Sequence, residues 1–173
     1  MRSALPIFAV VFIGIFGLNP AVVAAPEAEK STLVDASWEA YQAGDYESAA
    51  NGFRHLARQG VIKAQTNLGY MYAVGKGVKA DLIESALWFR MAAEQGHTGA
   101  QNTIGLFYYN GEGVEKDIVA AHAWFTLAAS AGDLQAPDYQ VLSERQMTPK
   151  QLEDSHTLAK KLYRKYGENK NLW

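Results

Sequence analysis

The 173-residue chain has no cysteine. That excludes a disulfide framework, a thiolate metal site, a cysteine nucleophile and a cysteine-borne lipid anchor. A thiol-free chain is compatible with an oxidising compartment, where a stray thiol is a liability. An excess of charge is missing too: 16 basic and 18 acidic residues leave a formal charge of −2, whereas nucleic-acid binding needs a concentrated basic surface. No segment alternates apolar and polar residues with period two over more than a few positions, so no strand is expected. Gly-x-Ser-x-Gly nucleophile motifs are absent. Long apolar runs are absent but for one, Leu5 to Leu18, and it falls short of the roughly 20 residues that span a bilayer.

That run follows Arg2 and is broken by Asn19-Pro20, after which Val22, Ala24 and Ala25 offer small residues to a peptidase. The pattern predicts a secretory signal over residues 1–25, cleaved after Ala24 or Ala25. The mature chain is then periplasmic or secreted, with no stable membrane insertion. Retention as an uncleaved anchor is the competing reading, and the short run weighs against it.

What is present is a repeat. Residues 64–99 and 100–135 superpose with a period of 36 and match at thirteen positions. These are Ala64/Ala100, Gln65/Gln101, Gly69/Gly105, Tyr72/Tyr108, Gly75/Gly111, Gly77/Gly113, Val78/Val114, Asp81/Asp117, Trp88/Trp124, Phe89/Phe125, Ala92/Ala128, Ala93/Ala129 and Gly96/Gly132. A fixed period of this length marks stacked supersecondary units, which mostly bind other macromolecules.

Each copy reads as an A helix, a glycine loop and a B helix. The first A helix is expected over 64–73 and its B helix over 82–95, with Asp81 as N-cap, Glu84 completing a box-like start and Gly96 as the stop. The second copy gives helices over 100–109 and 118–131, capped by Asp117 and stopped by Gly132. Upstream, 28–63 is a degenerate copy: helical from Thr32, interrupted at Gly44-Asp45, then helical over 46–59 to Gly60. Downstream, 134–145 reads as one more A-type helix with Pro137 in its first turn. Thr148-Pro149-Lys150-Gln151 then opens a capping helix that runs to about Tyr166. The domain is therefore placed at 26–166, with capping helices over 134–166 and a flexible tail over 167–173.

Gly69-x-x-Tyr72-x-x-Gly75-x-Gly77-Val78-x-x-Asp81, followed by Trp88-Phe89-x-x-Ala92-Ala93-x-x-Gly96, resembles the Sel-one-like repeat, a relative of the tetratricopeptide repeat. The second copy is similar to it through Gly105 to Gly132. Ala43-Gly44-Asp45-Tyr46, with Ala49 and Phe53, resembles the tetratricopeptide form. The resemblance implies an all-α, right-handed α-solenoid of antiparallel helix pairs that binds proteins or peptides on its concave face. One branch of the family is rich in cysteine, and nothing from that branch transfers to a chain without any.

Most matched residues have an architectural reading. Gly75, Gly77, Gly111 and Gly113 permit tight turns with positive φ; they follow a helix and lack the lysine-serine/threonine ending of a phosphate loop. Trp88, Phe89, Trp124 and Phe125 are expected in packing, each contributing on the order of 2–3 kcal/mol. Gly69 and Gly105, in mid-helix, call for close helix contact to offset a cost of about 1 kcal/mol. His55, His97, His122 and His156 share no metal-ligand spacing, so no metal is expected, nor any cofactor. Glu112, Glu115, Asp117 and Asp133 lack an apolar pocket that would split their pKa values into an acid and a base, so no catalytic residue is assigned.

The candidate site is what remains. With Leu68 on the buried side, steps of 100° put Tyr70 and Thr66 nearly opposite, with Asn67 close to that side. The equivalents are Leu106 and Asn102, with Thr103 and Tyr109 nearby. Asn67, Tyr70, Thr103, Leu106 and Tyr109 thus form the expected protein- or peptide-binding face, with Tyr41 at its edge. The function expected is that of an exported, monomeric protein-interaction scaffold without catalysis. The alternatives are a peptidoglycan-binding or -hydrolysing protein using the tryptophans and Glu112, and a structural subunit that stacks end to end.

Overall fold

Aspartates that start helices and glycines that stop them divide the chain into segments. The computed structural model describes residues 27–167; the expected signal at 1–25 and positions 168–173 of the expected tail lie outside the described residues. Eight α-helices run α1 Glu27–Gln42, α2 Tyr46–Arg58, α3 Ile62–Val74, α4 Leu82–Glu94, α5 Thr98–Asn110, α6 Ile118–Ser130, α7 Ala136–Glu144 and α8 Pro149–Leu162. A π-helical turn, Tyr163–Gly167, follows α8. The described residues contain no strand, and none of their helices is long and apolar enough to cross a membrane.

The caps form as the sequence requires. Asp81 Oδ1 accepts the amides of Ile83 and Glu84 at 2.9 and 3.1 Å, and Asp117 Oδ1 those of Val119 and Ala120 at 2.9 and 3.0 Å. Both satisfy N–H groups that the first turn leaves without a partner. The box expected from Glu84 does not close. Its carboxylate instead accepts Trp88 Nε1 at 3.2 Å, because residues four apart share a helix face. Thr148 and Gln151 do form a reciprocal box on α8.

Several boundaries move. α1 starts at Glu27 rather than Thr32, since Glu27–Lys30 are good helix formers that an apolar-spacing criterion overlooks. α3 and α5 start two residues before their Ala-Gln pairs, and His97 Nδ1 accepts the Ala100 amide at 3.1 Å to cap α5. Burial pushes the His97 pKa down, which favours the neutral ring that this acceptor role needs. α7 begins at Ala136, not Leu134, because Asp133 Oδ1 takes the amides of Gln135 and Ala136, both at 2.9 Å, and holds Leu134 in the turn.

Helices pack in chain order, each on the next from α1 to α7, and α8 folds back on α6. One core gathers Phe53, Leu56, Leu68, Met71 and Trp88; the next gathers Ile104, Phe107, Trp124 and Leu127. The repeated Ala-Gln pair ties one unit to the next. Gln65 Nε2 donates to the Ala57 carbonyl at 3.1 Å, and Gln101 Nε2 to the Ala93 carbonyl at 3.2 Å. Each glutamine thereby satisfies a last-turn carbonyl of the preceding B helix.

The two copies differ at the other end of that amide. Gln65 Oε1 accepts Gln95 Nε2 at 2.7 Å. One period on, the residue is Ala131, and Gln101 Oε1 is buried without a partner. A buried acceptor left unpaired costs about 1–3 kcal/mol. Ala131→Gln is therefore expected to stabilise the protein by about 1 kcal/mol, read as a thermal midpoint raised by roughly 2–4 °C. Gln95→Ala should lower the midpoint by a similar amount; an unchanged midpoint in both would show the pair to be inert.

Candidate functional site

Each A helix presents the same register to one side of the stack, because 36 residues separate equivalent positions. On α3, Tyr70 is 48% exposed and Val74 46%, while Asn67 is half-buried. On α5, Leu106, Thr103 and Tyr109 are all half-buried. The expected face is thus open on α3 and partly closed on α5.

Two of the α5 side chains are already engaged. Thr103 Oγ1 donates to the Gly99 carbonyl at 2.8 Å, so its hydroxyl is used within its own helix. The Tyr109 hydroxyl is paired with Gln146 Nε2 from the turn between α7 and α8. Its ring lies 6.4 Å from Phe125, with Lys116 Nζ 5.8 Å from its centroid. Asn102, expected on the open side beside Leu106, is instead buried, and its Oδ1 has no partner. A helical wheel anchored on one buried residue cannot represent a helix flanked on more than one side. Tyr41, at the expected edge, stacks on Trp38 at 5.1 Å and accepts a hydrogen bond from Lys76 Nζ at 3.0 Å. That bond pushes the Lys76 pKa up.

The structure adds residues to this register. Counting 36 from Leu106 reaches Leu142 on α7, exposed at 43%, and counting back from Tyr70 reaches Val34 on α1, half-buried. Trp38 and Val74 are a second pair one period apart, and both are exposed. α7 hid this continuation, since it lacks the glycine loop and the Trp-Phe pair. Ala136, buried and one period after Ala100, is the signal that register persists. α5 carries no charged side chain, and α3 carries Lys63 alone.

The remaining candidates are absorbed by the architecture. A Cβ on Gly105 would stand 2.5 Å from Phe125, and one on Gly69 3.0 Å from Phe89, so both mid-helix glycines admit a ring. Gly75 and Gly111 take left-handed φ values of 71° and 78° at the helix ends. Gly77 and Gly113 do more than turn the chain: a Cβ there would collide with the carbonyls of Tyr46 and Leu82, the first residues of the preceding B helices. The loops are in backbone contact with the neighbouring unit. Trp88 and Trp124 are buried, the latter stacked on Tyr166 at 6.0 Å.

His122 is fully buried, its Nε2 3.1 Å from Glu144 Oε1 on α7, and its ring 5.5 Å from that of His156. His55 Nε2 lies 2.8 Å from Gln59 Nε2. The described residues hold no cluster of three or more metal-ligating side chains. Of the loop carboxylates, Asp117 and Asp133 cap helices, and Glu112 accepts Asn110 Nδ2 at 3.3 Å.

Comparison with known proteins agrees with this repeat architecture. The Sel1 repeat pattern matches residues 62–97 and 99–133. Among solved structures, the chain is similar to c5321 of uropathogenic Escherichia coli, described as a protective antigen displaying an SLR fold. Identity is 35% over 79% of this chain, with a TM-score of 0.75, but the chain spans only 30% of the length of c5321. It is also similar to a Sel1 repeat protein from Oxalobacter formigenes, at 35% identity over 65% of this chain and 88% of that one, with a TM-score of 0.60. No curated protein matches.

Proposed function

Because the chain belongs to the Sel1 repeat family, whose fold generally serves as a scaffold for protein interaction and is typically non-catalytic, we propose that it is an exported adaptor without catalytic activity. It docks a protein or peptide along its A helices through Tyr70 and Leu106, flanked by Asn67, Thr103 and Tyr109. The observation that carries this reading is the row Val34, Tyr70, Leu106 and Leu142, apolar or aromatic at one register of four successive A helices. Such residues in a row, on a surface whose two central A helices carry a single charge between them, are what an interaction surface uses. Export is inferred from Arg2, the Leu5–Leu18 run and the small residues at Ala24 and Ala25.

Mechanism follows from the composition of the face. With α5 uncharged and α3 carrying Lys63 alone, affinity comes mainly from apolar burial and from hydrogen bonds to Asn67 and similar groups. Lys76 at Tyr41 and Lys116 at Tyr109 are the cations beside the face, so salt should weaken binding only modestly. The test is capture of a partner by the mature chain from a native cell-envelope extract, with crosslinking and mass spectrometry to name it. Tyr70→Ala combined with Leu106→Ala should abolish capture with helicity unchanged, and wild-type capture should persist in ~0.5 M salt. Unaltered capture by the double variant would sink the groove assignment; its partner is then held elsewhere.

A further inference from the structure

The far end of the stack carries a surface of a different chemical kind. Between α6 and α8 lies an open groove of about 350 Å³. Leu127 and Ala159 lie in its walls and Tyr163 borders it, while His156, Lys160 and Arg164 stand along the α8 side. Leu127 and Ala159 are buried, whereas Tyr163 is 48% exposed. The chain that forms this side reads Lys160-Lys161-Leu162-Tyr163-Arg164-Lys165, four cations in six residues of a protein whose net charge is −2.

Some of that charge has a structural use. Cations in the last turn of α8 complement the carbonyls exposed at a helix C-terminus. Lys165 Nζ sits 4.7 Å from the centroid of the Tyr166 ring, and Tyr166, with Glu94 as a weaker influence, pushes the Lys165 pKa up. Lys160 and Arg164 differ: neither has a carboxylate partner among the described residues. Both lie beside an apolar slot, which a purely solvating role does not require. The slot is at the small end of the volumes that hold ligands.

We propose that this groove docks an acidic peptide segment of a partner protein, which inserts one apolar side chain between α6 and α8. Its flanking carboxylates meet Lys160 and Arg164. The guanidinium offers a forked, charge-assisted pair of donors, and Lys160 a point charge. The site is separate from the A-helix face and, unlike that largely uncharged surface, is cationic, so a single partner, or two, can be held at both.

The probe is a fluorescein-labelled Glu-Asp-Leu-Phe-Asp-Glu peptide titrated with the full-length mature protein and followed by anisotropy. Saturable binding with a Kd on the order of 100 µM is expected, as for a single anchor residue with two charge contacts. Raising salt from about 0.05 to 0.5 M should weaken it at least ~fivefold. Lys160→Glu with Arg164→Glu should weaken it at least ~tenfold, as should Ser130→Trp, which fills the groove without altering charge. Circular dichroism should show the helicity of both variants unchanged. Absence of saturation at ~1 mM protein overturns the proposal, as does equal binding of Lys-Arg-Leu-Phe-Arg-Lys. Three further results assign the groove to other occupants and overturn it equally. They are binding of phosphatidylglycerol vesicles but not of the peptide, a more than ~tenfold gain on deleting 168–173, and a dimer in sedimentation that the charge reversal dissolves.

Discussion

Gly113→Ala is expected to lower the thermal midpoint by about 10 °C, a larger loss than the bare preference of glycine for its backbone angles would give. Two costs add. The φ of 66° is left-handed, which costs a residue with a Cβ roughly 1–2 kcal/mol. That Cβ would also collide with the Leu82 carbonyl oxygen. Leu82 opens α4, whose first turn is fixed by the Asp81 cap, so neither partner can rotate away; overpacking of this kind costs about 1–3 kcal/mol. The sum, roughly 2–5 kcal/mol, centres on about 10 °C at about 2–4 °C per kcal/mol in a chain of this size. Gly77→Ala should behave alike, since its Cβ meets the Tyr46 carbonyl in the same way. Gly132→Ala is the control: its φ is 93° with nothing within 4 Å of an added Cβ, so it should cost only the backbone part, about 1–2 kcal/mol. Thermal circular dichroism on the three variants decides the matter. Equal losses at Gly113 and Gly132 would show that the loop contact between units contributes nothing.

That contact also shows where sequence reasoning stops. The period, the Asp caps and the Gly stops were legible, because each acts through residues within a few positions of itself. The roles of Gly77 and Gly113 were only half legible. Positive φ follows from the turn, but the collision follows from the B helix of the preceding unit, more than thirty residues back. Gln65 and Gln101 were visible as matched residues without a role, since a side chain reaching to a carbonyl eight residues upstream leaves no local signature.

The candidate face was legible in part, and for a related reason. Tyr70 emerged from the wheel and is exposed on a helix packed between α2 and α4. Asn102 did not: it is buried, although α5 is packed between α4 and α6 in the same way. Leu142 lies one further period of 36 along the chain, but α7 has neither the glycine loop nor the Trp-Phe pair that marks a copy in sequence. The cationic groove at α8 was hidden differently: its lysines and arginine read as the solvated face of a terminal cap, and only the fold sets Leu127 beside them.

Phe125 should prove to be the side chain on which the α5 part of the proposed docking face depends. It is fully buried and touches three helices: its own α6, α5 through Gly105, and α7 through a stack on Tyr139 at 5.3 Å. Phe125→Ala is expected to cost about 3–5 kcal/mol, the range for emptying a buried aromatic site. Gly105→Ala alone should cost about 1–3 kcal/mol, because its Cβ would lie 2.5 Å from the Phe125 ring. The informative variant carries both. With the ring gone the new methyl has space, and alanine is a better helix former than glycine by about 1 kcal/mol. The double variant should therefore be no less stable than Phe125→Ala, giving a coupling of at least ~1 kcal/mol between two residues in contact. Strict additivity in a denaturant-melt cycle would dispose of the ring-on-glycine account. At Gly69 the same Cβ would stand 3.0 Å from Phe89, a half-buried ring with more room to shift, so the coupling there should be smaller. Tyr109 leans on Phe125, so Phe125→Ala should also weaken partner capture through α5 while leaving Tyr70 in place.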